Sequence, residues 1–190
     1  MKRGIISSPS DKQLKNFYKT YSSIFTLPEE KETFKGFKQV LKFNENKKLR
    51  EKYGFFKEQI IYFEENEKIV AAIDFAVYSM SQTIRKKFDV DATCHIVYIF
   101  VDKEYRKHSL GKKLLALAEK ESAKIVGSKR IYFFIDEKSP SKMSKREREE
   151  DEASSGIKEK ERIFWWKEQG FKSWNYHQSA DQSDCRKEND

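Results

Sequence analysis

Cysteine, proline and glycine are scarce in this sequence of 190 residues, which contains only 2, 3 and 7 of them respectively. Two cysteines, Cys94 in an apolar run and Cys185 near the end, are too few for a disulfide framework, so we expect free thiols in a reducing compartment. Few glycines and prolines, with 15 phenylalanines and 9 tyrosines, favour one ordered domain over a disordered chain.

Long apolar runs and metal-binding patterns are also lacking. The sequence contains no run of about 18 apolar residues, so we expect no transmembrane helix. The N-terminus, Met1–Ile6, lacks the apolar segment of a secretory signal. The 3 histidines and 2 cysteines show no metal-ligand spacing, and no Ser-His-Asp or Cys-His arrangement is readable. The sequence therefore predicts a cytoplasmic protein without a metal.

Positive charge is concentrated in two parts of the chain, whose formal net charge is +8. Residues 1–53 contain 13 Lys and Arg against 6 Asp and Glu, and residues 103–130 contain 9 against 3. The second block suits a ligand that carries phosphate groups. The first block has two interpretations, which are an acidic or nucleic-acid partner, or lysines that coat the surfaces of helices.

A short basic loop joins a strand to an amphipathic helix in the middle of the chain. The apolar residues Ile96–Val101 predict the strand, and the helix follows directly after the loop. A helix N-terminus presents unpaired N–H groups and a partial positive charge, which favour an anion. Four cationic residues surround the same point: Arg106, Lys107, Lys112 and Lys113. This combination predicts a phosphate-bearing ligand.

This junction resembles the acyl-CoA-binding signature of the GCN5-related N-acetyltransferases (GNAT), which is Arg/Gln-x-x-Gly-x-Gly/Ala after a strand. Here the signature reads Arg106–Gly111, and Ser109 stands where the family usually has its first glycine. Glycine supplies a positive φ at that point, whereas serine offers a hydroxyl group. The segment Arg162–Phe171 resembles the family's second landmark, an aromatic-rich helix that ends at a glycine, here Gly170.

The resemblance implies an α/β fold, with a GNAT-like mixed central β-sheet in the order β-α-α-β-β-β-α-β-α-β and helices on both faces. In relatives the strand that corresponds to Cys94–Val101 splays away from the one that corresponds to Arg130–Asp136, and acyl-CoA enters the V-shaped gap. The implied co-substrate is acetyl-CoA. The implied cofactor-binding residues are Ile99, Phe100, Val101, Arg106, Lys107, His108, Ser109, Leu110, Gly111, Lys112 and Trp166. For Trp166 core packing is the alternative, since large aromatics at helical spacing are usually buried.

The domain organisation reads as a single acyltransferase domain over residues 1–178. Other predicted elements are a strand at Arg3–Ser7, helices that begin after Ser10 and Thr26, a hairpin of Glu58–Glu64 with Ile69–Met80, and a helix at Gly111–Ile125. The charged segment 137–157 predicts an inserted loop, which is either a plain surface insertion or a flap beside the substrate cleft.

The C-terminal end departs from the pattern of relatives. Phe171–Gln178 predicts a strand, and residues 179–190 predict a disordered polar tail. Relatives usually carry one more strand after this point, which we do not find in the sequence. We therefore expect a truncated domain, or a sheet edge that is bare or completed by a partner chain, which makes a homodimer possible.

Acyl transfer to an amine requires a neutral amine, and a base with a pKa near neutrality assists it. His95 is the first candidate, because in several relatives a glutamate at this place of the central strand relays the proton of the amine. A partly buried histidine that serves only structure is the alternative. Asp136 and Asp74 are weaker candidates for the base.

The sequence offers several candidates for the proton donor to the leaving thiolate. The family's usual tyrosine corresponds to Trp166, whose indole N–H cannot protonate a thiolate. Tyr98, Tyr132 or Tyr176 are substitutes, and water is another. Direct attack by the amine, without an acyl-enzyme, is the simplest mechanism.

These observations predict an acyl-CoA-dependent N-acetyltransferase whose acceptor is a protein amine, an aminoacyl group on RNA, or a small amine. Two other functions compete with it. One is a catalytically silent protein that binds acyl-CoA as a sensor or scaffold. The other is a basic nucleic-acid-binding module, which a sequence pI of about 9.2 suggests.

Overall fold

The computed structural model describes residues 1–8, 10–25, 30–80, 89–138, 159–173 and 182–187. The strands are β1 (Lys2–Ile6), β2 (Phe55–Glu65), β3 (Lys68–Ser79), β4 (Ala92–Val101), β5 (Ile131–Lys138), β6 (Lys172–Ser173) and β7 (Gln182–Lys187). The helices are α1 (Gln13–Phe25), α2 (Glu30–Phe43), α3 (Lys47–Tyr53), α4 (Leu110–Val126) and α5 (Glu159–Glu168), with a single 3-10 turn at Lys103–Tyr105.

The strands form one mixed sheet in the order β1-β2-β3-β4-β5-β7-β6. The central pair β4–β5 is parallel, and the pairs on both sides of it are antiparallel. The chain makes the parallel connection through α4, as a crossover between parallel strands requires. The predicted mixed α/β sheet with helices on both faces is confirmed.

The β2–β3 hairpin turns at two residues, Asn66 and Glu67, which have φ values of 49° and 63°. Two successive residues with positive φ are typical of the turn whose twist matches that of a hairpin. The hairpin that the sequence predicted is therefore confirmed.

Each face of the sheet carries its own hydrophobic core. The core under α4 and α5 includes Phe75, Leu114, Leu115, Phe133 and Trp166. The core under α1 and α2 includes Leu14, Phe17, Leu41, Ile60 and Phe100. Alternate residues of the central strands supply the two cores, which fixes the register of the sheet. In the part of the chain that the structure describes, no helix is long and apolar enough to cross a membrane.

A third helix precedes β2 and was not predicted, because its sequence reads as a polar, lysine-rich segment. The Asn46 side chain accepts a hydrogen bond from the Leu49 N–H at the start of α3. Gly54 ends the helix in the left-handed conformation, with φ 62°. The helix has no buried residue, so these hydrogen bonds at its two ends stabilise it in place of core packing.

The prediction of a missing final strand was wrong. Residues 182–187, assigned from the sequence to a disordered tail, form β7, which pairs with β5 from Phe133↔Lys187 to Lys138↔Gln182. The sheet therefore continues beyond residue 178, and a partner chain is not needed to cover β5. The predicted strand Phe171–Gln178 is described only at β6, and most of the 137–157 segment lies outside the described residues.

Candidate active site

The two parallel central strands separate part of the way along their length. Their pairing runs from Ala92↔Ile131 to Ile96↔Ile135 and stops there, although β4 continues to Val101. Val97 has no partner on β3, which makes it the extra residue of a β-bulge, and its exposed fraction is 44%. The bulge bends β4 away from β5. The predicted V-shaped gap between these strands is present.

The end of β4 extends beyond its pairing with β5 and borders this gap. Ile99, Phe100 and Val101 pair with β3 on one side and have no register partner on β5. One of these groups is already used, because the Val101 carbonyl accepts a 3.1 Å hydrogen bond from Nε of Arg106. A ligand with amide groups can therefore pair with the edge before Val101, while Arg106 closes the loop that follows.

The loop between β4 and α4 holds two residues in the left-handed conformation. Lys107 has φ 70°, and Ser109 has φ 57° and ψ 20°. Ser109 is the N-cap of α4, but its side chain makes no capping hydrogen bond. The position therefore requires the backbone conformation that glycine adopts most easily, and the first N–H groups of α4 are not capped by its hydroxyl.

Basic side chains surround this helix terminus. Lys107, His108, Lys112 and Lys113 are exposed, and Arg106 is half-buried. Leu110 differs, because its side chain is only 4% exposed and belongs to the core. Of the residues assigned to the cofactor, Leu110 can therefore offer only its backbone N–H.

The start of the loop is anchored to the β2–β3 hairpin. Asp102 accepts a 2.6 Å hydrogen bond from the Lys68 ammonium group, and its backbone N–H donates to the Val70 carbonyl at 2.8 Å. The Lys68 hydrogen bond lowers the pKa of Asp102 below its ordinary value. The direction of the loop as it leaves β4 is thus fixed by β3.

The aromatic pair on α5 has two different roles. Trp165 lies against Gly111, where an added Cβ would be 3.0 Å from Cζ2 of the indole. Trp166 is 1% exposed, and its ring meets Trp165 and Phe171 edge-on at centroid distances of 4.8 and 4.9 Å. Trp166 is therefore packed in the core, as the alternative interpretation expects, and its contact with the cofactor stays a prediction.

His95 lies on the face of the sheet that α1 and α2 cover. Its ring is half-buried and stacks on Phe134 of β5 at 4.7 Å between centroids, with 3° between the planes. The bulge at Val97 brings Tyr98 onto this same face, where it packs on Phe17 and Tyr21 at 6.0 and 4.8 Å. His95 and Tyr98 thus stand together beside the point where β4 and β5 separate.

Two buried carboxyl groups lie next to them on the same face. Glu58 of β2 is 5% exposed and Asp74 of β3 is 0% exposed. Ala76 is the register partner of both Glu58 and His95, so these three residues form a row across the sheet. In the next row, Asp74 pairs with Tyr98. We call Glu58 and Asp74 the acid pair.

The surroundings of the acid pair favour the protonated acids. Burial raises the pKa of Glu58 to about 7, and the neighbouring Asp74 carboxyl opposes the increase. Burial and the Glu58 carboxyl raise the pKa of Asp74 well above its ordinary value, and the Tyr98 hydroxyl opposes this. Among the described residues, neither Asp74 oxygen has a hydrogen bond of good geometry, although Glu58 and Tyr98 are close enough to change its pKa.

The pKa values of three neighbouring tyrosines are raised as well. Burial, followed by Asp74, raises the pKa of Tyr98 well above its ordinary value and that of Tyr21 to about 12. Burial and the acid pair also raise the pKa of Tyr78. These hydroxyl groups therefore remain protonated at neutral pH and can act as hydrogen-bond donors.

The remaining predicted residues lie at different distances from the gap. Tyr132 is the register partner of Thr93, at the closed end of the β4–β5 pair. Asp136 is the first residue of β5 beyond that pairing, at the mouth of the gap. Tyr176 lies outside the described residues. Among the described residues, no group of three or more His, Cys, Asp or Glu could hold a metal ion.

Glu58 was missed by the sequence analysis, which named Asp74 only as a weak alternative. The sequence did carry a signal for both acids. Asp74 interrupts the apolar run Ile69–Val77, and Glu58 is two residues before Ile60, so the two side chains of β2 lie on the same face. The register that places Glu58 beside Asp74 is not encoded in either segment alone.

Comparison with known proteins gives one family and many structures of the same fold. The profile of the family described as Acetyltransferase (GNAT) family matches residues 15–141. No curated protein sequence matches the chain. A GNAT-family structure from Desulfovibrio desulfuricans has a TM-score of 0.58 at 12% identity, over 98% of this chain and 99% of that one.

Two further structures agree with this result. An acetyltransferase of the GNAT family from Staphylococcus aureus Mu50 has a TM-score of 0.56 at 12% identity, over 98% of this chain and 99% of that one. An aminoglycoside 6'-N-acetyltransferase complexed with coenzyme A has a TM-score of 0.55 at 13% identity, over 98% and 94%. At these identities the structures show a shared fold.

Proposed function

Because the chain belongs to the acetyltransferase (GNAT) family, we propose that it transfers the acetyl group of acetyl-CoA directly to the amine of an acceptor. The stretch of β4 that extends beyond its pairing with β5, and the N-terminus of α4 that follows it after a short loop, carry this proposal. The end of the strand and the start of the helix follow one another along the chain, as the amide-containing arm and the diphosphate follow one another in coenzyme A.

The backbone edge would hold the pantetheine arm. Its amide groups would pair with β4 at Ile99 and Phe100, whose edge toward β5 is open because of the bulge at Val97. The Val101 carbonyl, already bound by Arg106, would mark the end of this pairing. The thioester would then lie near the point where the strands separate.

The diphosphate would lie on the first turn of α4. The N–H groups from Leu110 to Lys112 are oriented along the helix axis toward the loop, and the helix dipole favours an anion there. Lys107, His108 and Ser109 belong to the same loop, and Lys112 adds an exposed charge beside it. Hydrogen bonds from cationic side chains to the diphosphate would be charge-assisted, and such bonds are roughly twice as strong as neutral ones.

The chemistry would take place on the face that carries His95 and Tyr98. The amine nitrogen attacks the thioester carbonyl and forms the C–N bond, the C–S bond breaks, and the thiolate of coenzyme A accepts a proton. His95 is the proposed base for the amine. Tyr98, kept protonated by burial and by Asp74, is the proposed hydrogen-bond donor to the reacting groups.

The departure at Trp166 supports a second candidate function, an acyl-CoA-binding protein without activity. The residue in the place of the family's usual tyrosine is a buried core residue, so it cannot protonate the thiolate. Tyr132 lies at the closed end of the strand pair, and Asp136 lies at the open end. If neither they nor Tyr98 take part, water would have to supply the proton.

A binding and turnover experiment tests the proposal. Isothermal titration with acetyl-CoA should show binding by the wild type and a loss of at least about tenfold in Arg106→Ala, since one charged contact contributes about 1.5–3 kcal/mol. Lys103→Ala is the control, because Lys103 is exposed in the 3-10 turn before the loop. Absence of binding by the wild type would refute both candidate functions.

Release of free thiol across a panel of amines separates the two candidates. Peptide N-termini, lysine peptides, aminoacyl-RNA and small amines cover the acceptor classes that the sequence left open. Binding without thiol release for any class would favour the silent protein. Activity on an RNA-linked or acidic acceptor should fall with added salt if the basic helices α1 and α2 contact it.

A further inference from the structure

The acid pair is costly for the fold, because two carboxyl groups are buried side by side. Both carboxyl groups are removed from water, with exposed fractions of 5% for Glu58 and 0% for Asp74. Neither carboxyl makes an ion pair with a lysine or arginine in the described part of the chain, and both oxygens of Asp74 lack a well-oriented hydrogen bond. Burial of this kind usually costs several kcal/mol unless the group is protonated.

In the described part of the chain, the titratable groups that face the pair come from four elements. They are Glu58 on β2, Asp74 and Tyr78 on β3, His95 and Tyr98 on β4, and Tyr21 on α1. All of them except His95 are acids or phenols. His95 is therefore the only group of this set that can carry a positive charge.

One small side chain lies between Glu58 and His95 on the sheet. Glu58 and His95 flank Ala76 in one row, so their Cα atoms are separated by two strand spacings, or about 10 Å. Because Ala76 has only a methyl group, the row places no large side chain between Glu58 and His95. Asp74 lies in the neighbouring row, against Tyr98.

We propose that the acid pair receives, through His95, the proton that the acceptor ammonium group must lose before it attacks the thioester. This inference rests on the proposed function. One ammonium N–H bond breaks, the proton binds one imidazole nitrogen, and the proton on the other nitrogen passes to the Glu58 carboxylate. His95 is again neutral, the amine is neutral, and Glu58 later returns the proton to water.

A second proton must leave the amine nitrogen before the amide is complete. After attack, the nitrogen of the tetrahedral intermediate loses one more proton, which the departing thiolate takes up as its C–S bond breaks. Because Glu58 and Asp74 act through His95 and Tyr98, they are positioning residues and do not contact the substrate. The raised pKa of Glu58, about 7, matches a group that exchanges a proton near neutral pH.

Three variants separate a proton role from a packing role. Glu58→Gln keeps the shape and the hydrogen-bonding capacity but cannot take a proton, whereas Glu58→Asp keeps the carboxyl group and changes the length. A proton role predicts that Glu58→Gln loses about 100-fold in kcat, the lower end of general acid–base catalysis, and that Glu58→Asp retains more activity than Glu58→Gln. A packing role predicts the reverse order. Glu67→Gln, an exposed change in the hairpin turn, should have no effect.

The affinity for acetyl-CoA and the far-UV circular dichroism of each variant serve as controls, and both should match the wild type. The acid limb of the kcat profile should disappear in Glu58→Gln and remain in Glu58→Asp. Wild-type activity in Glu58→Gln, or an activity of Glu58→Asp below that of Glu58→Gln, would overturn the inference.

A measurement on the unmodified protein covers the case in which a variant does not fold. Infrared absorption of protonated carboxyl groups should decrease as the pH rises through about 7, the pKa of Glu58. No such change would overturn the inference even if the protein binds acetyl-CoA. Failure of the proposed function appears differently, as no binding of acetyl-CoA and no thiol release by the wild type.

Discussion

Gly111 and Trp165 are in direct contact, since a Cβ on Gly111 would lie 3.0 Å from Cζ2 of the indole ring. The first turn of α4 thus rests on α5, and the signature glycine has a packing role in addition to any role toward the cofactor. A large residue at this position would displace Trp165 as well as fill the loop.

A double-mutant cycle tests this contact. Gly111→Ala should lower the free energy of unfolding by about 1–2 kcal/mol, because the added methyl group overpacks the indole. In a Trp165→Ala background the same change should be stabilising, since alanine favours a helix by about 1 kcal/mol over glycine. Urea unfolding of the four proteins measures the coupling. Equal effects in both backgrounds would show that the two residues do not interact.

Ser109→Gly should stabilise the protein by about 0.5–1 kcal/mol, because serine is held at φ 57°, a conformation that glycine adopts without a steric cost. Ser109→Ala is the matched control. It should change stability by less than about 0.5 kcal/mol, because the serine hydroxyl makes no capping bond. Thermal unfolding gives both values. A loss of stability in Ser109→Gly would mean that the hydroxyl contributes more than the backbone strain.

Glu58→Gln should become more stable relative to the wild type as the pH rises from 4.5 to about 7, the ordinary and folded pKa values of Glu58. In this range the folded protein binds more protons than the unfolded chain, so the stability of the wild type falls with rising pH. The difference is at most about 3 kcal/mol. Urea unfolding of both proteins across this range measures it, and parallel curves would contradict a buried, proton-binding Glu58.

His95→Phe and His95→Ala should both reduce turnover by about 100-fold or more if His95 is the base. Only His95→Ala should also lose stability, because phenylalanine retains the stack on Phe134, whose centroid lies 4.7 Å from the histidine ring. The affinity for acetyl-CoA should be unchanged in both. Retention of turnover in His95→Phe would show that the histidine serves only to pack against Phe134.

The loop between β4 and α4 could be predicted because its signals are local. The apolar run to Val101, the cations from Arg106 to Lys113 and the helix that follows are continuous in the chain, and each has one structural interpretation. The hairpin turn at Asn66 was equally local. In contrast, β7 is made of polar residues without alternation, and its strand conformation comes from pairing with β5.

The sequence by itself determined the basic junction between β4 and α4, the mixed sheet and the family, since these depend on residue order over short stretches. Tertiary structure alone decided the bulge at Val97, the position of Trp166 in the core, and the row that joins Glu58 to His95. Strand register causes this difference. It brings together residues that are distant in the chain, and it depends on the packing of both faces of the sheet at once.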